Sequence, residues 1–355
     1  MLPGAQREVA VQTIIEAFRT MTPSARPVAE IGLLIYPDCQ LSAIYGLTDL
    51  FRVASQGAGY VPAALPPIEG PAPEIRVSHW RQEAGAVTCI WDSHPGQPHD
   101  LTHVIAPPSL VLPEAMQPQP VAAHWMMQHH AAGATLCSVC AGAFVLAETG
   151  LMDGRPATTH WAFAAQLAQR FPRIRLAAEN MVLDDGDIVT AGGILAWTDL
   201  GLTLVERLLG AGIMLATARF FLVEPPRSSQ RPYAAFVARF DHGDEAIRKA
   251  QHHLHAHASE PLHLSTLHAL AGMTERTFLR RFQAATGFRP STYLQQVRVA
   301  RARESLEQTS LPIDRIAWEV GYSDVAAFRK IFQKLTAMPP SEYRQRFGIA
   351  PREVN

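Results

Sequence analysis

The sequence has few cysteines and almost no net charge. Its 355 residues include four cysteines (Cys39, Cys89, Cys137 and Cys140), too few for a scaffold held together by disulfide bonds. The net charge of −1 excludes a whole-protein electrostatic attraction to nucleic acid, so any such signal must be local. These features favour a protein of a reducing compartment.

The sequence also lacks the marks of a secreted or membrane-embedded protein. Its N-terminus has no basic start followed by an apolar core, the pattern of a signal peptide. The most apolar region, about 192–223, is interrupted by Asp199, Glu206, Arg207 and Arg219, which favours buried helices over a membrane span. We therefore expect a cytoplasmic protein without membrane contact.

The chain has enough apolar sequence, 48% of its residues, for two domains. Between 27 and 223 short apolar runs alternate with helical patterns, which predicts an α/β domain with a mostly parallel sheet covered by helices. Residues 224–243 are rich in proline, serine and arginine and indicate a linker. Only helical patterns follow, over 244–349, and the ends at 1–26 and 350–355 are predicted to be flexible tails.

The helical region contains an internal repeat. Leu264–Gly272 aligns with Ile313–Gly321 at an offset of 49 residues, and the stretch 274–293 aligns with 324–343 at an offset of 50. Each copy has a short helix, a glycine turn, a Ser/Thr/Asp cap and a second helix with a phenylalanine pair at i, i+4. The pattern predicts two helix-turn-helix units in an all-α domain.

The second helix of each copy supplies the residues that we expect to contact DNA. With the phenylalanines facing inward, the 100° helical step turns basic and amide side chains outward, and these suit base edges in the major groove. Between 276 and 346 basic residues outnumber acidic ones by seven, which favours DNA over the alternative of two amphipathic hairpins with a solvated charged face. The predicted DNA-binding residues are Arg276, Thr277, Arg280, Arg281, Gln283, Ala326, Arg329, Lys330, Gln333 and Lys334, of which Arg281 serves either a phosphate or an internal ion pair.

This region resembles the AraC/XylS family of regulators over 244–349. The resemblance rests on Arg301, Ile316-Ala317, Val320-Gly321-Tyr322, Phe328, Phe332 and Pro340-Ser341-Glu342-Tyr343-Arg344. It implies two helix-turn-helix units joined by a long helix at about 292–307, which enter successive major grooves of double-stranded DNA, with RNA polymerase as a further partner. Ala337 departs from the glycine that occupies the matching position in the first copy, Gly287.

A second feature lies at Leu136–Gly150, where an apolar strand stops at Cys140 and a helical pattern follows at once. Such a turn holds a thiol at the tip of a parallel sheet, beside the partly positive start of a helix. This position favours the thiolate. Taken alone, the stretch predicts a nucleophile.

The region 29–222 resembles the PfpI-type, class I glutamine amidotransferase-like superfamily. The resemblance rests on Cys140-Ala141-Gly142 and on Leu151–Trp161, and it implies a flavodoxin-like fold with Cys140 as nucleophile and His160 as its imidazole partner. Active members also place a carboxylate after the first strand, where this chain has Ala43. We therefore predict no catalytic residues, and Cys140 and His160 as vestiges. The alternative is a thiol-dependent hydrolase or hydratase.

Two further interpretations of the cysteines and histidines compete. Cys137 and Cys140 have the spacing of a redox motif, although Cys137 would lie inside the strand. His253 and His257 have the i, i+4 spacing of metal ligands, but no cysteine or acidic cluster completes a set of four. We predict neither a cofactor nor a metal.

Together the two resemblances indicate the GlxA-type branch of AraC regulators. They imply a transcriptional activator whose catalytically inactive N-terminal domain senses a small, nitrogen-containing metabolite and forms a homodimer, while the linker transmits ligand binding. Because open α/β sheets bind ligands at the C-terminal ends of their strands, the predicted pocket is lined by Ala43, Ile44, Cys140, Ala141, His160, Trp161, Gly193 and Trp197. The two tryptophans suit a cationic ligand. A DNA-binding architectural protein without an effector is the remaining alternative.

Overall fold

The structure, a computed structural model, describes residues 27–56, 73–83 and 85–349. The predicted tails at 1–26 and 350–355 lie outside the described residues, as does most of the proline-rich stretch at 62–73. The chain divides into two compact units, with the boundary between Ser228 and Ser229. The segment 224–243, predicted to be a linker, therefore contributes residues to both units.

The first unit is built around a sheet of seven strands. Its strands are β1 (Ala29–Ile35), β2 (Ile75–Glu83), β3 (Ala86–Asp92), β4 (His103–Ala106), β5 (Thr135–Val139), β8 (Val182–Asp184) and β9 (Ile188–Ala191), while β6 (Pro156–Ala157) and β7 (Arg175–Leu176) form a separate parallel pair. The strand order is β3-β2-β1-β4-β5-β9-β8. The five central strands are parallel and the two edge strands, β3 and β8, are antiparallel to their neighbours.

Helices accompany the sheet along the chain. They are α1 (Leu41–Ser55), α2 (Pro120–Ala131), α3 (Gly142–Ala147), a 3-10 turn (Trp161–Phe163), α4 (Ala164–Arg170), α5 (Trp197–Leu209) and α6 (Ala211–Phe220). Strands β4, β5 and β9 consist entirely of buried residues, as a parallel sheet covered on both faces requires. The predicted α/β fold with a mostly parallel sheet is confirmed.

The order of the strands reverses between β1 and β4, which pair directly with each other. A chain that leaves β1 turns to one side of this point and a chain that leaves β4 turns to the other, so a crevice opens at their C-terminal ends. Helix α1 begins there, and Cys140 follows the end of the next strand, β5. The fold therefore brings the start of α1 and the thiol to the same edge of the sheet.

The second unit is helical within the described residues. Its helices are α7 (Glu245–Ala256), α8 (Leu264–Leu270), α9 (Glu275–Thr286), α10 (Pro290–Gln308), α11 (Ile313–Glu319), α12 (Val325–Thr336) and α13 (Pro340–Phe347). One hydrophobic core surrounds Phe278 and Phe282, and a second surrounds Phe328 and Phe332. The predicted pair of helix-turn-helix units, joined by the long helix α10, is confirmed.

The repeat is not exact in its turns. Asp324 caps α12 by accepting a hydrogen bond from the N–H of Ala326, whereas Thr274 at the start of α9 makes no capping bond of this kind. Ala337 has a left-handed φ of 61°, close to the 79° of its counterpart Gly287, so the alanine keeps the turn at the cost of backbone strain. Within the described residues, no helix is both long and apolar enough to cross a membrane.

Candidate effector site and nucleic-acid interface

The strand-to-helix turn at Cys140 has the strained geometry that the sequence suggests. Cys140 has a φ of 55°, one of four non-glycine residues with positive φ among the described residues. Its N–H donates to the carbonyl of Ala191 (2.8 Å), and its carbonyl accepts from the Thr159 hydroxyl (2.8 Å). The next turn needs Gly142, because a Cβ there would lie 2.5 Å from the carbonyl oxygen of Pro107. The sulfur is therefore held rigidly at this edge of the sheet.

The ionisation of this thiol differs from the sequence-based prediction. Burial raises the pKa of Cys140 to about 12, although the backbone N–H groups of Ala141 and Gly193 contact the sulfur and lower it. The side chain is 1% exposed. The prediction that the helix start favours the thiolate is wrong, because the loss of water around the sulfur outweighs the two backbone dipoles. At neutral pH Cys140 is a thiol.

The sequence also named a partner for this nucleophile, His160, and marked Ala43 as the position of a carboxylate. The Nδ1 atom of His160 accepts the N–H of Ala162 (3.1 Å), and burial lowers the pKa of the ring. Among the described residues, no hydrogen bond joins the His160 ring to the Cys140 sulfur. Ala43, at the position of the carboxylate, is fully buried. The site holds a neutral thiol and a neutral imidazole.

A tryptophan from the predicted pocket set packs against the first helix. The ring of Trp197, the first residue of α5, lies against Gly46 of α1, where a Cβ would come within 2.8 and 2.9 Å of two of its ring carbons. Its indole N–H is buried and has no hydrogen-bond partner, and the same holds for the side-chain carbonyl of Gln40, just before α1. These two groups are a buried donor and a buried acceptor without a hydrogen-bond partner among the described protein atoms.

The eight predicted pocket residues fall into two groups. Ala43, Ile44, Cys140 and Ala141 are almost completely buried. His160, Trp161, Gly193 and Trp197 are partly exposed. Two contacts link the groups. The N–H of Gly193 contacts the Cys140 sulfur, and the hydroxyl of Thr159, the residue before His160, donates to the Cys140 carbonyl. Gln40 and Gly46, which the sequence did not single out, belong beside them.

The predicted DNA-facing helices present the expected side chains. Arg276, Arg280 and Gln283 on α9 are exposed, and so are Ala326, Lys330 and Gln333 on α12, while Thr277 is partly buried. Arg329 and Lys334 flank the second set and are exposed too, with Arg329 paired to Asp314 (3.0 Å). The phenylalanines of both helices are 0% exposed. Helical periodicity alone was enough to find these faces.

Several arginines serve the fold of the second unit instead. Arg281 makes a two-pronged ion pair with Asp244 (2.9 and 2.8 Å), which is the internal alternative for that residue. Arg298 donates to the carbonyls of Ala258 and Glu260 (both 2.7 Å). Arg303 likewise binds backbone carbonyls of the segment that precedes α7. Sequence reasoning missed the roles of Arg298 and Arg303, because a charge count does not distinguish an arginine facing solvent from one facing a carbonyl.

The start of α13 adds a feature suited to phosphate. A cavity of about 350 Å³ is lined there by Arg329, Gln333 and Ser341, next to the exposed face of α12. Backbone N–H groups at a helix start, a hydroxyl and a guanidinium are the groups that usually hold a DNA phosphate.

Within the described chain, no group of three or more His, Cys, Asp or Glu side chains is arranged to hold a metal ion, and the rings of His253 and His257 stack 4.2 Å apart.

Comparison with known proteins assigns each unit. Residues 98–207 match the DJ-1/PfpI family and residues 267–346 match a helix-turn-helix domain. Isonitrile hydratase from Pseudomonas putida is 42% identical over 116 residues, which are 32% of this chain and 48% of the hydratase.

Two similar proteins are regulators. The HTH-type transcriptional regulator GlxA of Rhizobium meliloti (strain 1021) is 33% identical over 221 residues, 61% of this chain and 67% of the relative. The regulator GbdR of Pseudomonas aeruginosa (strain UCBPP-PA14) is 28% identical over 214 residues, 60% of this chain and 58% of the relative, so the match spans less than two thirds of that protein. The resemblances to AraC-type and PfpI-type proteins are confirmed. The chain belongs to the family of HTH-type transcriptional regulators that join a DJ-1/PfpI domain to an AraC-type helix-turn-helix domain.

Proposed function

We propose that the chain activates transcription by reading two successive major grooves with α9 and α12, in response to a small molecule bound by its first unit. The observation that carries the proposal is the repeat itself: two recognition helices with buried phenylalanines and exposed Arg, Lys and Gln side chains, in one compact unit. If these faces only met solvent, the charged residues would not need to occupy matching positions in the two copies of the repeat. We propose the cytoplasm as its compartment and RNA polymerase as its further partner.

The DNA proposal is tested by substitutions on the two recognition helices. Operator duplexes are selected from a random pool with the full-length protein, and affinities are measured by gel shift at fixed salt. Arg280→Ala and Lys330→Ala should each cost about 1–3 kcal/mol of binding free energy if the side chain reads a base. Lys249→Ala, which removes the same charge from an exposed position on α7, is the matched control. Unchanged operator affinity in both variants would disprove the assignment of these helices.

The effector proposal rests on polar groups in the first unit. Two backbone N–H groups converge near the Cys140 sulfur, and the Trp197 indole N–H and Gln40 carbonyl are buried without partners. A small molecule with both an acceptor and a donor, such as an amino acid or a related nitrogen compound, matches this set. Trp161 and Trp197 would accommodate a positive charge. We propose that the predicted pocket residues bind this molecule.

A thermal-shift screen of the full chain against amino acids, betaines and polyamines tests this site. We expect at least one compound to raise the melting temperature in a saturable way. Trp197→Leu should abolish the shift, and Trp318→Leu, an exposed tryptophan in the second unit, should keep it. If no compound acts on the wild type, the architectural protein without an effector becomes the better interpretation.

We also propose that the first unit has lost catalysis. The similarity to isonitrile hydratase favours the alternative enzyme, whereas the neutral thiol, the occupied His160 nitrogen and Ala43 favour inactivity. Incubation with a simple isonitrile, followed by detection of the corresponding formamide, separates the two. Turnover that disappears in Cys140→Ala would establish the enzyme. We expect none above the rate of that variant.

The proposed homodimer has a candidate surface at the edge of the sheet. Strand β3 is an edge strand and carries no charged residue from Ala86 to Trp91. Ile90 and Trp91 are each 42% exposed, and the exposed Tyr45 ring lies beside His79, which contacts Trp91. Proteins usually protect exposed edges with charge or proline. An antiparallel pairing of β3 with its own copy would cover this one.

The dimer is tested by light scattering on the full chain. Ile90→Lys should convert a dimer into a monomer, because the pairing would then bring two positive charges together. Leu110→Lys, at an apolar position that is 65% exposed, is the control and should leave the mass unchanged. A wild type that is monomeric at micromolar concentration would remove the proposal.

A further inference from the structure

The two helix-turn-helix units have separate hydrophobic cores, and α10 connects them. At 1.5 Å per residue its 19 residues span about 28 Å. A pair of domains joined by one helix can bend and rotate about it, whereas successive major grooves lie at a fixed distance of about 34 Å. Besides α10, Ser259, which follows α7, lies against Gly321 of the second helix-turn-helix unit. Further contacts would hold the spacing of the two units more firmly before DNA binds.

The segment 229–243, here called the brace, provides contacts with the second helix-turn-helix unit. Arg303, on α10, donates to the carbonyls of Pro232 (2.5 Å) and Ala234, and its Nε donates to the hydroxyl of Tyr343 (2.8 Å). Tyr233 packs edge-on against the ring of Phe347 (5.7 Å between centroids). Three consecutive residues of the brace are therefore fixed to the second helix-turn-helix unit.

The same segment continues onto the first helix-turn-helix unit. Phe236 packs against Tyr293 (5.2 Å) as part of that core. Gln251, completely buried on α7, donates to the carbonyl of Arg239 (3.0 Å) and to the Tyr293 hydroxyl (3.1 Å), and its own carbonyl is 2.7 Å from the His242 ring. The brace is therefore fixed to this unit as well.

The two attachments follow the internal repeat. Tyr293 and Tyr343 are equivalent positions in the two copies, and each hydroxyl receives a hydrogen bond from a side chain that also holds the brace. Gln251 does this in the first copy and Arg303 in the second. A cavity of about 400 Å³ lies between the brace, α10 and α13, so the segment crosses the unit without filling the space beneath it. Phe236 is only partly buried at the edge of the first core, so release of the brace would uncover that edge while the fully buried residues of both cores stay in place.

We propose that the brace fixes the spacing of the two recognition helices, that Gln251 and Arg303 are its positioning residues, and that the first unit controls DNA binding by engaging or releasing it. The inference rests on the proposed reading of DNA by α9 and α12. The brace begins directly after the first unit ends at Ser228. With the brace engaged the spacing matches DNA, and with the brace released the contacts that it makes with both cores through Gln251 and Arg303 are lost.

The test measures how strictly the protein requires the spacing between its two half-sites. The operator is selected from a random duplex pool with full-length wild type, and a second duplex carries one inserted base pair between the half-sites, a shift of about 3.4 Å and a rotation of about 35°. Wild type should bind the altered duplex at least about tenfold more weakly. Arg303→Met should bind the native duplex more weakly but lose less than about threefold further on the altered one. Gln251→Met should behave in the same way.

The controls separate the possible failures. Val237→Ala changes a brace residue that is 71% exposed and should keep the wild-type spacing penalty. If Arg303→Met and Gln251→Met retain the tenfold penalty, the brace does not set the spacing, even though DNA binding stands. If wild type enriches no duplex from the pool, the proposed function and the brace both fall. Circular dichroism checks folding, and Phe236→Leu replaces any variant that does not fold.

Discussion

The state of the Cys140 thiol gives a quantitative prediction for its reaction with iodoacetamide. Burial raises its pKa from 9.0 to about 12. At pH 8 a thiol of pKa 9.0 is about one-tenth ionised, whereas a thiol of pKa 12 is ionised in about one molecule in ten thousand. The logarithm of a thiolate's rate constant rises with the pKa of the thiol by a slope of about 0.4–0.5. Each Cys140 thiolate should therefore react about 16- to 30-fold faster, which offsets part of the thousandfold lower thiolate fraction. We expect alkylation about 30- to 60-fold slower than that of N-acetylcysteine, before steric protection.

The pH dependence of this reaction is the sharper measurement. The fraction of thiolate rises tenfold per pH unit below the pKa, so the rate at Cys140 should rise with unit slope from pH 7 to 10 without a plateau. Mass spectrometry after digestion assigns the adduct, and Cys140→Ser identifies the signal to subtract. A plateau below pH 9, or a rate equal to that of N-acetylcysteine, would show that the helix start stabilises the thiolate after all and would favour the enzymatic alternative.

Three further predictions concern stability. Gly272→Ala should lower the free energy of unfolding in urea by about 1 kcal/mol, because alanine is strained at this left-handed φ. Gly321→Ala should lower it by at least twice as much, because the new Cβ would also meet a backbone carbonyl oxygen at 2.5 Å. Ala337→Gly should relieve its left-handed strain and stabilise the protein by up to about 1 kcal/mol; a lower midpoint would contradict this. Burial lowers the pKa of His79 and His103 to about 4, so their contribution to stability is present above pH 6.5 and lost as pH falls towards 4. The melting temperature should fall over that window, and less steeply in His79→Gln.

Much of the fold was predictable because it depends on local pattern. The largely apolar runs at β1, β4, β5 and β9 predicted parallel strands, and the phenylalanine pairs predicted the inward faces of α9 and α12. The antiparallel direction of the edge strands was not predictable in this way. Period-two patterns show which face of a strand is buried, but not which neighbour it pairs with or in which direction.

The candidate site was less predictable, since its chemistry depends on what packs around each residue. The turn at Cys140 was visible in the sequence, yet its pKa follows from burial by segments far apart along the chain. The contact of Trp197 with Gly46 joins residues 151 positions apart, and no local pattern marks it. The inward arginines were hidden for the same reason, because Arg303 looks identical in sequence to an arginine that faces DNA.

The strained turn at Cys140 also has a structural role. The φ of 55° at Cys140 turns the next N–H towards the sulfur, where the N–H of Gly193 also converges, and Gly142 lets this turn approach the end of β4 closely. A ligand held there would touch the start of α5, where Trp197 lies.

Two residues later on the same helix, the buried carboxylate of Asp199 binds the side chain (2.5 Å) and backbone N–H (2.8 Å) of Arg227. Arg227 immediately precedes the end of the first unit, after which the brace begins, so a displacement of α5 by the proposed effector would reach the brace through one ion pair. Asp199→Asn should therefore weaken the effect of a thermal-shift hit on operator affinity while leaving the binding of that hit intact; an unchanged effect would mean that the signal takes another route.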